Sequence, residues 1–318
     1  MQIPIIAVVG PTASGKTALA VKLAKHFNGE IISADSMQIY KYLDIATAKP
    51  DEDEKEGISH HLMDFLEPDE RFSVSQYKKL ADKAAEDIYS RGKIPVLVGG
   101  TGLYVDNFLN AVELTEYELS MDIREKLMKR AEEEGVEKLY QELMAFDPEA
   151  AEKINPNDKK RIVRAHELYE ATGVTITQQN NASKVNPTPY KACIIGLNAY
   201  DRDVLYSRIN LRVDKMAEAG LLEETKNFYS KYTPDTAGQA IGYKELLPYL
   251  NGEKSLEECL ENLKMATRRY AKRQLTWFRR NENINWIYID SKSLDEITQE
   301  AIGIIKDSEL FTEDTDEH

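Results

Sequence analysis

Gly10-Pro11-Thr12-Ala13-Ser14-Gly15-Lys16-Thr17 fills every fixed position of the phosphate-cradling pattern G-x-x-x-x-G-K-[ST]. Ahead of it, Ile3-Pro-Ile-Ile-Ala-Val-Val9 is a nearly unbroken apolar run of strand length, as a parallel strand buried on both faces requires. Behind it, residues 17–27 carry apolar side chains at helical spacing. Strand, glycine turn and helix therefore meet at the motif. In such a turn successive N–H groups converge, the helix N-terminus adds partial positive charge, Lys16 adds a full charge, and the Thr17 hydroxyl offers an oxygen to Mg²⁺. The loop is expected to hold a polyphosphate within an α/β fold, a P-loop NTPase-like parallel sheet core with helices on both faces. The motif leaves open whose phosphates they are.

With 318 residues the chain is long enough for a large core plus an insertion or second domain. A content of 42% hydrophobic and 30% charged residues is that of a globular protein. No apolar run is long enough to span a bilayer and no signal-like stretch precedes the first strand, so a cytoplasmic protein without a membrane partner is expected. Cys193 and Cys259 have neither metal-ligand spacing nor a disulfide framework and are expected as reduced, packed thiols.

The net charge of −14 argues against a nucleic-acid partner only if charge is spread evenly. It is not. Residues 307–317 form a strongly acidic, solvated tail, whereas Lys264-Met-Ala-Thr-Arg-Arg-Tyr-Ala-Lys-Arg-Gln-Leu-Thr-Trp-Phe-Arg-Arg280 contains no acidic residue.

Following the first helix, Glu30-Ile-Ile-Ser-Ala-Asp35 reads as a strand leading into Ser36-Met-Gln-Ile-Tyr40. Ligands of open α/β sheets lie beyond the carboxyl ends of the strands, which puts Asp35 and Ser36 near the phosphate loop. Residues 47–57 are charged, turn-rich and expected to be exposed. His60 and His61 are adjacent, without a further ligand at helical spacing, and read as structural or hydrogen-bonding residues rather than a metal site. Ser73 caps a helix over 74–91 that Gly92 ends, and Ile94-Pro-Val-Leu-Val98 is a buried strand. The Gly99-Gly-Thr-Gly-Leu-Tyr104 cluster after it either turns the chain or, with Thr101, lines the ligand crevice.

Between about 115 and 179 the β-like runs give way to amphipathic helices over 121–134, 136–146 and, after the break Asn155-Pro156, 157–171. This predicts an all-helical insertion domain over 116–184, splitting a core of 1–115 and 185–318. Its third helix carries Lys159, Lys160, Arg161 and Arg164 on a basic face. The core resumes with the strand Ala192-Cys-Ile-Ile-Gly-Leu197. Helices follow over 203–219, opened by Asp201 and ended by Gly220, and over 221–232. Another helical segment is expected to begin in Gly238-Gln-Ala-Ile-Gly-Tyr-Lys-Glu245. Ser255 caps the helix that bears the basic run of 264–280, Asn285-Trp-Ile-Tyr-Ile-Asp290 is a last strand, and 294–305 a last helix.

Read from the residues alone, these features describe a polyphosphate-binding α/β enzyme with a helical insertion and a basic, aromatic-bearing helix. On base rates such a loop belongs to an ATP-binding protein, and a small-molecule kinase is the first reading. The combination of blocks is more specific. Beyond the phosphate loop, Ser-Ala-Asp-Ser-Met-Gln-Ile-Tyr (33–40), Thr-Ala-Lys-Pro (47–50), His-His-Leu-Met-Asp (60–64) and Gly-Gly-Thr-Gly-Leu-Tyr (99–104) stand in order. They continue through Asn-Pro-Asn-Asp-Lys-Lys-Arg-Ile-Val-Arg (155–164), Arg-Val-Asp-Lys-Met (212–216), Gln-Ala-Ile-Gly-Tyr-Lys-Glu (239–245) and Thr-Arg-Arg-Tyr-Ala-Lys-Arg-Gln-Leu-Thr-Trp-Phe-Arg (267–279). The chain thereby resembles the tRNA dimethylallyltransferase, or tRNA isopentenyltransferase, family. The resemblance is thinnest over 121–150 and the C-terminal tail.

The resemblance implies transfer of the dimethylallyl group of dimethylallyl diphosphate to N6 of adenine 37, next to the anticodon of tRNA, with Mg²⁺; a monomer is expected. By that likeness the loop from Gly10 to Thr17, with Thr12 and Ser14 facing it, holds the diphosphate, and Arg212, or less favourably Arg208, reaches it. The residues suit such chemistry. Departure of diphosphate from an allylic carbon builds negative charge that Lys16, the loop N–H groups and a Thr17-held Mg²⁺ would bind more tightly in the transition state. Carboxylates are weak bases toward a neutral amine, but the attacking nitrogen becomes acidic as it gains positive charge, so Asp35 can take its proton. Asp35, Ser36, Met37, Gln38 and Thr101 would meet an extruded base. Lys159, Lys160, Arg161 and Arg164 of the insertion, and Arg268, Lys272 and Arg273 of the basic helix, would hold the anticodon stem-loop backbone, while Tyr270 or Trp277 either stacks or is core. A prenyltransferase acting on free adenine nucleotides is a third reading.

Overall fold

The computed structural model describes residues 2–110, 121–182, 187–233 and 236–311. Its core sheet has six parallel strands, β1 (Ile3–Val9), β2 (Gly29–Ser33), β3 (His60–His61), β4 (Ile94–Gly99), β5 (Tyr190–Asn198) and β6 (Ile284–Tyr288), in the order β3-β2-β4-β1-β5-β6. The apolar run of β1 has the central place its composition demands. Ile6 and Val8 pack on one face with Leu19, Leu23, Ile209 and Ile305, and Ile5, Ala7 and Val9 on the other with Tyr77, Phe108 and Phe278. Both faces being covered, no polar residue alternates along the strand.

The helices Lys16–His26, Arg202–Glu218 and Leu294–Asp307 supply the first face, and Val74–Ser90 with Gly102–Leu109 the second. Their starts are written in the sequence. Ser73, Ser255 and Ser293 each accept the backbone N–H three residues on, while Gln76, Glu258 and Glu296 return the bond, which makes three complete capping boxes. A third apolar cluster joins Ile39, Tyr40, Leu43, Val213, Phe228, Tyr243 and Leu263, and fastens the loop after β2 to the later helices.

Residues Met1–Leu109 and Pro189–His318 form one compact unit and Asn110–Thr188 a second. The described part of the second unit is helical: Met121–Glu133, Val136–Phe146, Pro148–Lys153, Lys159–Thr172 and Ile176–Ala182. Leu127, Leu139, Leu143, Ile162 and Val163 make its own core. The helix Pro148–Lys153 was not expected, although Asp147 caps it through the Ala150 N–H and Pro148 stands in its first turn.

The structure corrects two expectations in the core. Of the stretch 47–57, expected to be exposed, Pro50 is buried and Thr47, Ala48 and Lys49 are half-buried, Thr47 and Ala48 against a cavity. The stretch 238–245 does not begin a helix; a 3₁₀ turn Ala237–Gln239 gives way to turns, and only Leu247–Leu250 is α-helical. Gly242 is the physical reason, since its φ of 119° lies far outside the helical region. His60 and His61, expected as structural or hydrogen-bonding residues, pair with Ile31 and Ile32 as the edge strand β3. Both cysteines are buried free thiols. No helix among the described residues is long and apolar enough to cross a membrane. Beyond 311 the acidic tail lies outside the described residues.

Gly99 fixes how closely β2 and β4 approach at the carboxyl edge, because a Cβ there would stand 2.1 Å from the Ala34 carbonyl oxygen. Gly99→Ala is therefore expected to lower the unfolding free energy by about 1–3 kcal/mol, as overpacking against backbone does. The reading is a lower urea midpoint; an unchanged midpoint would show that the two strands separate at no cost.

Candidate active site

The helix Lys16–His26 begins at Gly15 with no side-chain cap and no acidic residue in its first turn. An uncapped, uncompensated N-terminus leaves its N–H groups and partial positive charge for an anion. The turn is built from left-handed or extended glycines and one strained alanine, with φ of 143° at Gly10, 63° at Ala13 and 93° at Gly15. Gly10 has a second constraint: a Cβ would lie 2.5 Å from the Leu197 carbonyl oxygen on β5. Ser14 is buried and donates to the Pro11 carbonyl at 2.8 Å, and Lys16 Nζ reaches the same oxygen at 2.6 Å. One carbonyl thus anchors both side chains inside the turn.

A cavity of about 300 Å³ opens beside this turn, lined there by Thr12, Lys16, Thr17 and Arg212 and further along by Asp35, Met37 and Gln38. Burial pushes the Lys16 ammonium down to about 7; Arg212 acts in the same direction, and the Asp35 carboxylate opposes both. Burial also lowers Arg212, against the pull of Asp35 and Glu54. Two desolvated cations facing one cavity are poised for a multivalent anion, which would restore to them what burial removes.

Asp35 sits just past β2. Its Oδ1 accepts the N–H groups of Met37 at 2.8 Å and Gln38 at 3.3 Å, which fixes the carboxylate in a turn of its own making. Thr101 Oγ1 accepts the Ser36 N–H at 3.1 Å, so Thr101 stands behind the Asp35 turn, and Gly99, which ends β4, and Gly100 after it line the cavity. The Gln38 amide is engaged with the protein: Nε2 donates to the Thr47 and Ala48 carbonyls, each at 3.2 Å, and Oε1 accepts the Ser33 hydroxyl at 3.3 Å. Its two-sided geometry is spent on holding a loop rather than left open for a base.

The basic helix, Leu256–Phe278, splits into two faces. Leu263, Thr267, Ala271, Gln274 and Phe278 turn inward, and Arg269, Lys272, Arg273 and, just past its end, Arg279 and Arg280 are exposed. Arg273 also reaches the cavity rim. Arg268 is half-buried and donates to Asn210 Oδ1 at 2.6 Å, and Lys264 is paired with Asp214 and Glu261. Trp277 belongs to the core: its Nε1 donates to Asp106 at 2.7 Å and its ring packs where a Cβ on Gly102 would clash. Arg280 covers that ring 4.1 Å from its centroid. Tyr270 lines the cavity, its phenol pushed up by burial and by Asp35, with Thr101 and Gln274 beside it acting the other way.

Gln274 is the residue that motif reading passed over. Only 5% exposed, it accepts the Thr12 N–H through Oε1 at 2.8 Å and donates through Nε2 to the Gly100 carbonyl at 3.0 Å. It ties the phosphate loop to the glycine loop beside Asp35. The signal was present as an amide on the inward face of an otherwise basic helix, where a polar group requires a buried partner.

In the second unit, Lys159 pairs with Glu132 at 2.9 Å, Arg161 with Asp158 at 3.4 Å and Arg164 with Glu167 at 3.3 Å, and Lys160 is exposed. The exposed pairs of Lys159 and Arg161 are weak enough to be exchanged for phosphate, whereas Arg164 is held by a carboxylate that is itself buried. His61 Nε2 lies 2.7 Å from Glu30, whose carboxyl is held far below the usual range by Arg91 first and by Lys93 and His61. His60 Nδ1 lies 2.9 Å from the Ile58 carbonyl.

With this geometry in place, the chain matches the family model described as IPP transferase over residues 38–281 and that described as isopentenyl transferase over residues 3–67. A tRNA dimethylallyltransferase of Thermoanaerobacter sp. is 50% identical over 307 residues, which cover 95% of this chain and 97% of the relative. A solved tRNA isopentenylpyrophosphate transferase from Bacillus halodurans superposes with a TM-score of 0.70 at 42% identity, over 96% of this chain and 97% of that one. A solved eukaryotic dimethylallyltransferase acting on tRNA gives a TM-score of 0.82 at 32% identity, over 96% and 79% of the two chains.

Proposed function

The chain belongs to the tRNA dimethylallyltransferase family, and on that premise we propose that it transfers the dimethylallyl group of dimethylallyl diphosphate to N6 of adenine 37 in tRNA, releasing diphosphate. The observation that carries this reading is a single cavity that joins an uncapped helix N-terminus with Lys16 and Arg212 to a fixed carboxylate, Asp35. A kinase would also use both, with the carboxylate taking a hydroxyl proton. Membership of the family selects carbon transfer, in which one element serves the leaving group and the other the nucleophile's proton.

In the step itself the adenine N6 lone pair forms the new bond to the allylic carbon as the carbon–oxygen bond to diphosphate breaks. The bonding pair leaves on oxygen, where Lys16, Arg212 and the N–H groups at the start of the helix, residues 15–17, receive it. The proton on the now cationic N6 passes to the Asp35 carboxylate. Gln274 and Thr101 hold the two loops that set the distance between these events. Thr17 is the protein oxygen that would hold Mg²⁺. The donor chemistry fits, because Thr17, with its hydroxyl, lines the cavity beside Thr12 and Lys16, and Mg²⁺ is commonly carried by one or two protein oxygens together with phosphate and water. When bound, the ion would neutralise charge on the diphosphate.

The exposed cations at Arg269, Lys272, Arg273, Arg279 and Arg280 form the stripe that would meet the RNA backbone, with Lys159, Lys160, Arg161 and Arg164 of the second unit as a further contact. This reading puts the protein in the cytoplasm, and because one chain carries every group invoked, a monomer suffices for the chemistry. The test is transfer of labelled dimethylallyl diphosphate to unmodified tRNA with Mg²⁺; ATP consumption with unlabelled tRNA would favour a kinase. In the same assay Arg269→Gln with Lys272→Gln is expected to flatten the dependence of log affinity for tRNA on log salt by about one unit per cation removed. An unchanged slope would take the stripe out of RNA binding, and an enzyme for free nucleotides would show little salt dependence at all.

A further inference from the structure

Glu224 stands in the first turn of the helix Leu221–Lys231 and does not line the cavity. Its Oε2 accepts the backbone N–H of Asp44 at 3.0 Å and of Ile45 at 2.8 Å, and its Oε1 that of Ala46 at 3.0 Å. The Tyr243 hydroxyl donates to the same Oε1 at 2.9 Å, with the Tyr42 carbonyl 3.2 Å away. Three successive N–H groups turned to one point make an anion-binding concavity, and here the protein's own carboxylate fills it. Burial, reinforced by the Glu224 charge, pushes the Tyr243 phenol up and keeps it a donor.

What this carboxylate holds is cavity wall. Ala46, Thr47 and Ala48 line the cavity, and the last two supply the carbonyls that receive Gln38 Nε2. Tyr243 brings in the opposing segment, where Ala240, Ile241 and Lys244 line the same space. The two segments touch closely, since a Cβ on Gly242 would stand 3.0 Å from that of Ala46. A glutamine in place of Glu224 would keep one acceptor oxygen and turn an NH₂ group toward N–H donors, leaving part of the concavity unsatisfied.

We propose that Glu224 is a positioning residue for the acceptor base: by clamping residues 44–46 against Tyr243 it sets the Thr47 and Ala48 carbonyls, hence the Gln38 amide and the wall on which the adenine comes to rest. The inference rests on the tRNA-prenylating reading. Its reach is limited to one substrate, because none of the clamp's bonds involves the loop from Gly10 to Thr17, the diphosphate end of the cavity.

The experiment compares wild type, Glu224→Gln and Tyr243→Phe for prenylation of an unmodified anticodon stem-loop, for the Kd of inorganic diphosphate and for the thermal midpoint. Glu224→Gln is expected to lower kcat/KM for the stem-loop by about 10- to 100-fold, the scale of a misplaced reactant, with diphosphate affinity kept within about twofold. Tyr243→Phe, which removes only a hydroxyl, should show a smaller loss of the same kind. Adding Gln38→Ala to Glu224→Gln should cost less than the two separate losses combined, since both act through one amide. An unchanged kcat/KM in Glu224→Gln overturns the proposal. So does a loss shared equally by diphosphate binding and the thermal midpoint, which would make the clamp mere scaffold, and so does full additivity with Gln38→Ala. Wild-type protein that leaves the RNA unlabelled is a different failure, that of the parent reading.

Discussion

Asp35→Asn is expected to slow single-turnover prenyl transfer by about 10²- to 10⁴-fold, the range of a lost general base. The substitution is chosen because it isolates the proton. An asparagine keeps an oxygen where Oδ1 now accepts the Met37 and Gln38 N–H groups, so the turn that carries Ser36, Met37 and Gln38 stays as it is. What disappears is the acceptor for the N6 proton and one negative charge near Lys16 and Arg212. Removing that charge favours an incoming anion, so the diphosphate Kd should hold steady or tighten while the chemical step collapses. Loss of both together would mean that Asp35 supports the loop, and a wild-type rate would remove it from the chemistry.

The contrast between Asp35 and Gln274 shows why one was legible in the sequence and the other was not. The phosphate loop, the caps at Ser73, Ser255 and Ser293, and the placing of Asp35 at a strand end all depend on neighbours a few residues away, and local patterns report them. Gln274 bonds to Thr12 across 262 residues and Glu224 to Asp44 across 180, and no periodicity records such pairs. The segment 238–245 failed for a related reason. Its composition admits helix, but Tyr243 is drawn to Glu224 and Gly242 against Ala46, so tertiary contacts decide the backbone. Gln38 shows the limit on the functional side: an amide suited to a base proved to be occupied by the loop that Glu224 clamps.

Lys16→Met is expected to cut turnover by about 10²- to 10³-fold, as removal of one preorganised donor to a developing oxyanion does. Its pH behaviour is the sharper test. The ammonium is held down to about 7 by burial and by Arg212, against an ordinary lysine value of 10.5. In the ligand-free protein the unfolded chain therefore binds this proton more tightly than the folded one, and Lys16 makes stability rise with pH between those two values. Diphosphate reverses the sign, because an adjacent anion raises the bound-state value and binding then requires the proton. Above about 7 the free protein has begun to lose it, so affinity should fall with pH and calorimetry should register proton uptake on binding. Diphosphate titrates on its own account, but that contribution is common to wild type and Lys16→Met and cancels between them. A Lys16-dependent uptake that vanishes in the variant marks the lysine as the group that charges to meet the leaving group. Equal uptake in both proteins would assign the proton to the ligand and leave Lys16 charged throughout.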